Sequence, residues 1–277
     1  MRRARPLLGT YVEIEAHGCA DSMLVRAIDA AFDAVARVQR LMSFHDPDSD
    51  LARLNRRAAF EPISVDRWTM AVLRQARQMF EATEGLFDCA AGHELMQRGL
   101  LPSQDLGHVA PGTFAAVTLL ADNRVRFSAP IALDLGGIAK GFAVDRAIAA
   151  LRGHGVREAV VNAGGDMRVI GTARPILIRC PTEPDGLVPA GLLQNGAIAT
   201  SGALATVARD RMTGHAMQPA TPRGDRKAYS VVAPTCLVAD ALTKVLVQTG
   251  DIDAGYFAQF GARAFITSPA AANVRAA

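Results

Sequence analysis

The stretch Ile131–Asp145, with the sequence IALDLGGIAKGFAVD, organises the rest of the chain. Its first five residues, Ile131–Leu135, form an apolar run with a single acid and predict a short buried strand. Gly136 and Gly137 then end the strand, and apolar residues recur at helical spacing as far as Leu151. A strand that passes through paired glycines into a helix presents backbone N–H groups that can bind phosphate oxygens.

Two interpretations of this glycine turn stay open on local grounds. Asp134 and Lys140 flank the glycines, and the first can accept hydrogen bonds while the second can pair with phosphate. Neither GxGxxG nor GxxxxGK[ST] is present, so the turn does not match the common nucleotide-binding motifs. A packing turn with a half-buried aspartate and a solvated lysine explains the same residues equally well.

Composition and charge argue against several classes of function. The 277 residues suit one large domain or two small ones. A net charge of +3, without a long run of like charges, argues against nucleic-acid binding. No run approaches ~18 apolar residues, so no membrane span is expected. The arginines at the start are not followed by the apolar segment of a signal peptide, which predicts a cytoplasmic protein, or a periplasmic one if a leader was removed.

Hydrophobic periodicity predicts an α+β fold with mixed sheets and packed helices. The longest helices are expected at residues 21–42, 66–83 and 235–250. Strands are expected at residues 11–15, 117–120, 124–128, 159–163, 167–170, 197–203, 230–233 and 264–267. Because no clean linker separates these elements, residues 1–277 are expected to form a single domain, with 268–277 as a loose tail.

Two further groups of polar residues lie where predicted elements end or turn. Gly165 and Asp166 follow a predicted strand and form either a nucleotide-binding turn or a simple tight hairpin. In the last long helix, Asp240 lies one turn before Thr243 and Lys244. The acid can coordinate a metal or pair with the lysine, and the spacing favours the pair.

The order of these motifs resembles the ApbE family of flavin transferases, the FAD:protein FMN transferases. The resemblance runs from about Leu7 to Thr267 and rests on LLGTYVEI, MSFHDPDSDLARLN, TEGLFD, LDLGGIAKGFAVD, VNAGGD, ATSGA, a His-x-x-x-Pro-x-Thr loop and VADALTKVL. It implies an ApbE-like fold with a nucleotide pocket between its subregions, FAD as substrate and Mg²⁺ as cofactor. The implied reaction moves FMN from FAD to a Thr or Ser hydroxyl of an acceptor protein and releases AMP. The alternatives are an FAD-binding relative with lost or altered metal-dependent transfer, and an FAD pyrophosphatase.

The resemblance also assigns roles to individual residues. His215 is the implied base for the acceptor hydroxyl, and Asp240 is the second implied catalytic residue. The flavin nucleotide is implied to contact Leu86, Phe87, Asp88, Asp134, Lys140, Gly165, Asp166 and Met217. Magnesium is implied to bind at Gly137, Ala139, Asp240 and Thr243.

Two departures from the family pattern bear on the metal. Lys244 stands where the family usually has a threonine oxygen, and a protonated lysine cannot ligate magnesium, although it can neutralise a phosphate in the metal's place. Gln218 stands where the family usually has an acid. The expected use of magnesium therefore conflicts with Lys244.

Overall fold

The structure, a computed structural model, describes residues 1–102, 109–179, 186–202 and 227–267. The described helices are α1 (Asp21–Met42), α2 (Asp50–Arg57), α3 (Arg67–Ala82), α4 (Gly92–Gln97), α5 (Ala139–Gly153), α6 (Cys236–Thr249) and α7 (Gly255–Gln259). The described strands are β1 (Arg2–Leu7), β2 (Thr10–His17), β3 (Ile63–Ser64), β4 (Val117–Leu119), β5 (Arg124–Phe127), β6 (Glu158–Ala163), β7 (Asp166–Ile170), β8 (Arg174–Arg179), β9 (Leu187–Leu193), β10 (Ala197–Gly202), β11 (Ala228–Ala233) and β12 (Arg263–Thr267). None of these helices is both long and apolar enough to cross a membrane.

The described chain divides into two compact units. One contains Met1–Ala36 and all of the described chain from Lys140 onward, and the other contains the described residues of Arg37–Ala139. Helices and antiparallel sheets occur in the chain as the periodicity indicated, so the predicted α+β class is confirmed. That the whole chain behaves as a single domain stays a prediction.

The first unit is built on a seven-stranded sheet in the order β1-β2-β6-β7-β10-β11-β12. Every neighbouring pair is antiparallel. In β2 the apolar residues Val12, Ile14 and Ala16 alternate with polar ones and are fully buried, so one face of the strand joins the core. Helix α6 packs against β7, β10 and β11, and its Lys244 lies near Ser201 at the end of β10.

A two-stranded ribbon of β8 and β9 was not predicted from the sequence. Pro175 and Pro189 interrupt its two strands, and a proline argues against a central strand because it cannot donate a ladder hydrogen bond. In a ribbon of two strands each strand is an edge, so both prolines are tolerated. Ile176 and Ile178 of β8 are buried in one cluster with Val169 of the large sheet.

The second unit combines helices with a three-stranded sheet in the order β3-β5-β4. The hairpin of β4 and β5 confirms the strands predicted on either side of the turn at residues 121–123. Ser49 caps α2 by accepting a hydrogen bond from the Ala52 N–H, and Asp66 caps α3 by accepting one from the Trp68 N–H. Serine and aspartate are residue types that commonly cap helices in this way.

The predicted strand at Ile131–Leu135 is wrong. The segment is largely buried but has no regular structure, because its backbone groups bond to partners outside any sheet. The Asn55 amide both donates to the Leu133 carbonyl at 2.9 Å and accepts from the Leu133 N–H at 2.8 Å. The Asp134 N–H donates to the Cys89 carbonyl at 2.8 Å. An apolar run indicates burial. Periodicity alone cannot distinguish a strand from a buried irregular segment whose backbone groups form hydrogen bonds with a side chain and a loop.

Replacing Asn55 by alanine is expected to lower the free energy of unfolding by about 2 kcal/mol, because the Leu133 N–H and C=O are then buried without partners. Urea denaturation of the wild type and the variant measures the change. Gln78→Ala, at an exposed position of α3, is the control and should leave stability nearly unchanged. Equal stability of the Asn55 and Gln78 variants would contradict this role for the amide.

Candidate active site

The glycine turn leads into α5 as the sequence predicted. Residues 136–138 form a turn, and the helix begins at Ala139. The Asp134 carboxylate accepts a hydrogen bond from the Gly136 N–H at 3.2 Å. The turn and the helix are therefore confirmed, although the segment before them is not a strand.

Gly141 allows an unusually close approach between α5 and α6. A Cβ atom built on Gly141 would lie 2.3 Å from the Cys236 carbonyl oxygen and 2.8 Å from Asp240 Cβ. The Gly141 N–H donates to Asp240 Oδ2 at 3.0 Å, and the Asp240 side chain is fully buried. Only glycine fits at this contact, which fixes Asp240 against the start of α5.

Four charged side chains of the first unit meet at this point, and we call Lys140, Asp166, Asp240 and Lys244 the four-ion cluster. Lys140 Nζ lies 2.5 Å from Asp166 Oδ2 and 3.8 Å from Asp240 Oδ1. Lys244 Nζ lies 2.9 Å from Asp240 Oδ1, and it also lies 3.4 Å from Ser201 Oγ at the end of β10. The structure confirms the predicted pairing of the acid and the lysine within the last long helix. Its extension to Lys140 and Asp166 was not predicted.

Burial and charge act against each other in the four-ion cluster. Burial alone would raise the pKa of Asp240, but the Lys140 and Lys244 ammoniums outweigh it and hold this pKa below its ordinary value. Burial and repulsion from Asp240 together raise the pKa of Asp166, against the attraction of Lys140. Burial would lower the pKa of Lys140, yet the two carboxylates raise it. Asp240 and Lys140 are therefore both charged at neutral pH.

The hairpin that carries Asp166 is tight, as one of the two interpretations predicted. Gly164 and Gly165 both have positive φ, and the Gly165 N–H donates to Asn162 Oδ1 at 3.0 Å. Ala163 pairs with Asp166 across the turn, so Asp166 is the first residue of β7. The hairpin thereby positions Asp166 for Lys140, and a contact from Gly165 or Asp166 to a nucleotide stays a prediction.

Asp145, the last residue of the stretch quoted first, has a role that sequence reasoning missed. Its two carboxylate oxygens accept hydrogen bonds from the Cys236 and Leu237 N–H groups, each at 2.9 Å. Arg168 Nη1 lies 2.5 Å from the same carboxylate. A carboxylate at a helix N-terminus satisfies free N–H groups and the helix dipole, so Asp145 fixes the start of α6. No local signal could have found it, because the N–H groups that it binds lie about ninety residues away along the chain and Arg168 lies 23 residues away.

The predicted flavin contacts in the second unit have different environments. Phe87 is buried in the core, whereas Leu86 is 38% exposed. The Asp88 carboxylate accepts hydrogen bonds from the Ala90 N–H at 2.7 Å and from the Phe114 N–H at 3.1 Å, which gives it a structural role. His215 and Met217 lie outside the described residues. The assignment of these five residues to catalysis or to flavin binding stays a prediction.

The comparison with known sequences decides the family. The pattern of the ApbE family matches residues 8–266. The chain belongs to the ApbE family. The match includes the glycine turn, all members of the four-ion cluster and Asp145.

Curated relatives and solved structures agree with this ApbE assignment. The FAD:protein FMN transferase of Rhodobacter capsulatus is 31% identical over 283 residues, which cover 94% of this chain and 54% of the relative. The FAD:protein FMN transferase of Treponema pallidum is 29% identical over 185 residues, which cover 61% of this chain and 51% of the relative. The chain thus spans about half the length of these two relatives. The crystal structure of the ApbE protein from Thermotoga maritima has a TM-score of 0.79 at 24% identity, with 100% of this chain and 96% of that one covered, and this likeness shows the fold.

The described residues of this ApbE chain do not fit a magnesium ion at Asp240. Each oxygen of Asp240 accepts a hydrogen bond, Oδ2 from the Gly141 N–H and Oδ1 from the Lys244 ammonium, so a metal on Oδ1 would lie beside a positive charge. Thr243 is fully buried, and its hydroxyl donates to the Ala239 carbonyl within the helix. Within the described ranges, no group of three or more His, Cys, Asp or Glu residues could hold a metal. Ligation by the Gly137 and Ala139 carbonyls stays a prediction.

Asp134→Asn is expected to raise the free energy of unfolding at neutral pH by about 2 kcal/mol. Burial raises the pKa of Asp134 from 3.8 to about 6, and the Gly136 N–H offsets this only in part. The folded protein therefore binds this proton more tightly than the unfolded chain, so wild-type stability should increase as the pH falls from about 7.5 to about 5. Asp134→Asn should remove this contribution.

Urea denaturation at the two pH values tests this dependence, with Asp33→Asn at an exposed position of α1 as the control. A wild type that loses stability relative to Asp134→Asn as the pH falls over this range would contradict the assignment to Asp134.

Proposed function

We propose that this chain is a FAD:protein FMN transferase, which moves the FMN part of FAD to a Thr or Ser hydroxyl of an acceptor protein and releases AMP. The observation that carries the proposal is the ApbE family match over residues 8–266. Relatives at 31% and 29% identity bear the name of this activity. The four-ion cluster supports it, because two ammonium groups meet in one largely buried place.

In the proposed reaction, the acceptor hydroxyl oxygen forms a bond to the phosphorus of the FMN part. The bond between that phosphorus and the bridging oxygen of the pyrophosphate breaks. The bridging oxygen leaves with the electron pair as part of the AMP phosphate, and the hydroxyl proton passes to a base. We assign the base to His215, as the family resemblance implies.

Catalysis of phosphoryl transfer consists mainly of positioning and of stabilising charge on phosphate oxygens. An ammonium has three N–H donors, and Lys140 uses one of them on Asp166. Among the described residues the Lys140 ammonium makes no second hydrogen bond, so its other donors can bind a phosphate oxygen of FAD. Asp166 and Asp240 hold the two ammoniums in place, which lowers the reorganisation needed when the nucleotide binds.

We further propose that the flavin nucleotide contacts the predicted residues in addition to Lys140. These are Leu86, Phe87, Asp88, Asp134, Gly165, Asp166 and Met217. A largely buried carboxylate such as Asp134 has one hydrogen bond from the described residues, and the other lone pairs can accept from hydroxyl or N–H groups of the nucleotide.

Incubation with FAD and a soluble extract of the source cells, as a pool of acceptor proteins, tests the activity. We expect AMP in solution and flavin fluorescence on a protein band after denaturing electrophoresis. AMP and free FMN without a fluorescent band would instead identify an FAD pyrophosphatase. FAD that binds but stays intact would identify a nucleotide-binding relative without transfer.

A further inference from the structure

We infer that the Lys244 ammonium takes the place of a divalent cation at Asp240, so that this chain binds the pyrophosphate of its nucleotide without magnesium. The claim that the chain binds a nucleotide rests on the proposed function. The statement about Asp240 and Lys244 rests on their geometry alone and is testable without any nucleotide.

The first observation is that each oxygen of Asp240 already accepts a hydrogen bond, one of them from an ammonium. Oδ2 lies 3.0 Å from the Gly141 N–H, and Oδ1 lies 2.9 Å from Lys244 Nζ. Lys140 Nζ is 3.8 Å from the same Oδ1. A magnesium ion binds oxygen at about 2.1 Å, so an ion on Oδ1 would face two ammonium groups at short range.

The second observation is the charge balance of the four-ion cluster. Its two carboxylates are matched by two ammoniums, and the side chains of Asp166 and Asp240 are 5% and 0% exposed. A divalent cation would add two positive charges beside two ammoniums in a largely buried place. Burial of unpaired charge is costly, so the cluster as built excludes the ion.

The third observation concerns Thr243, which precedes Lys244 and has a hydroxyl oxygen of the kind that can ligate a metal. Its hydroxyl donates to the Ala239 carbonyl one turn earlier in α6, and its side chain is fully buried. Residues 243 and 244 differ by about 100° around a helix, so Thr243 cannot replace an oxygen at the position of Lys244.

The fourth observation is that the basic residues of the cluster are lysines, which are rare in this chain. The sequence has 30 Lys and Arg residues, but its only lysines are Lys140, Lys227 and Lys244. Two of these three lysines belong to the four-ion cluster. Lysine carries a compact point charge with three donors, whereas arginine carries a wide planar fork, so lysine is the side chain that resembles a small cation.

A titration of the ligand-free protein with Mn²⁺, followed by electron paramagnetic resonance, tests the claim about Asp240. We expect no Mn²⁺ bound at this site in the wild type. Lys244→Thr should bind one Mn²⁺, and the double variant Lys244→Thr with Asp240→Asn should lose it. Mn²⁺ binding by the wild type that Asp240→Asn abolishes would overturn the inference, and so would a folded Lys244→Thr variant that binds none.

Calorimetric titration of FAD, in EDTA and in excess Mg²⁺, tests the part that concerns the nucleotide. We expect the wild-type Kd to be the same under both conditions, and we expect Lys244→Met to weaken binding in EDTA by about tenfold. Wild-type binding strengthened by Mg²⁺ would overturn the inference. Absence of FAD binding under both conditions would overturn the proposed function and the statement about pyrophosphate, while the Mn²⁺ titration would still decide the statement about Lys244.

Thermal melting of each variant shows whether it is folded before it is titrated. Lys244→Arg supplies a second variant that keeps the charge. We expect it to bind no Mn²⁺ and to retain more FAD affinity than Lys244→Met. Equal FAD affinity in the two variants would contradict a role for the charge.

Discussion

Gly141→Ala is expected to lower the free energy of unfolding by about 3 kcal/mol or more, because the new methyl group has no space between α5 and α6. The nearest atoms would be the Cys236 carbonyl oxygen and carbon, at 2.3 and 2.6 Å. These are backbone atoms at the start of α6, and Asp145 and Arg168 hold that start in place. The helices must therefore move apart, which also stretches the hydrogen bond from the Gly141 N–H to Asp240.

Gly153→Ala is the matched control for this prediction, since Gly153 is in the same helix and nothing lies within 4 Å of a Cβ built on it. Alanine favours a helix more than glycine does, so this variant should be as stable as the wild type or more stable, by up to about 1 kcal/mol. Chemical denaturation monitored by circular dichroism measures both variants. Two variants of equal stability would contradict the close approach at Gly141.

Asp240→Asn is expected to lower the free energy of unfolding by about 3 kcal/mol at neutral pH, because it leaves two largely buried ammoniums with one carboxylate. Asparagine keeps the shape of aspartate and an oxygen for the Gly141 N–H, so the loss isolates the charge. The Lys140 and Lys244 ammoniums hold the pKa of Asp240 below 3.8 against burial, so this contribution is complete above that pH. It is lost as the pH falls through the lower pKa of the folded state.

Urea denaturation across acidic and neutral pH measures this dependence. The difference between the wild type and Asp240→Asn should be largest at neutral pH and should shrink below about pH 4. Asp253→Asn, at an exposed position after α6, should change stability by less than about 0.5 kcal/mol. A difference that grows as the pH falls would contradict the charge pairing of Asp240.

Much of the fold follows from local sequence patterns. Ser49, Asp66 and Thr235 are residue types that favour the start of a helix, and each accepts a hydrogen bond from the first turn of its helix. Gly250 ends α6 in the left-handed conformation, as a glycine after a helix predicts. These signals are local, since a cap or a stop depends on residues within one turn of the helix.

The errors and omissions have a common physical origin in contacts between distant residues. The Ile131–Leu135 segment was assigned to a strand because its apolar run indicates burial, and its true partner, Asn55, lies 78 residues earlier. The sequence leaves open whether Lys140 binds phosphate or is solvated, because its partner Asp166 lies 26 residues away on another element. Only the pair of Asp240 and Lys244 was predictable, because both residues lie on one helix face.

The ratio of AMP released to FMN covalently bound to protein, measured in EDTA, is the most direct test of metal-independent flavin transfer by this chain. Chromatography gives the amount of AMP, and flavin absorbance of the washed, denatured protein gives the amount of bound FMN. We predict equal molar amounts of the two products, with both reduced in Lys244→Met. AMP matched by free FMN, or FAD that is cleaved only after Mg²⁺ is added, would contradict the prediction.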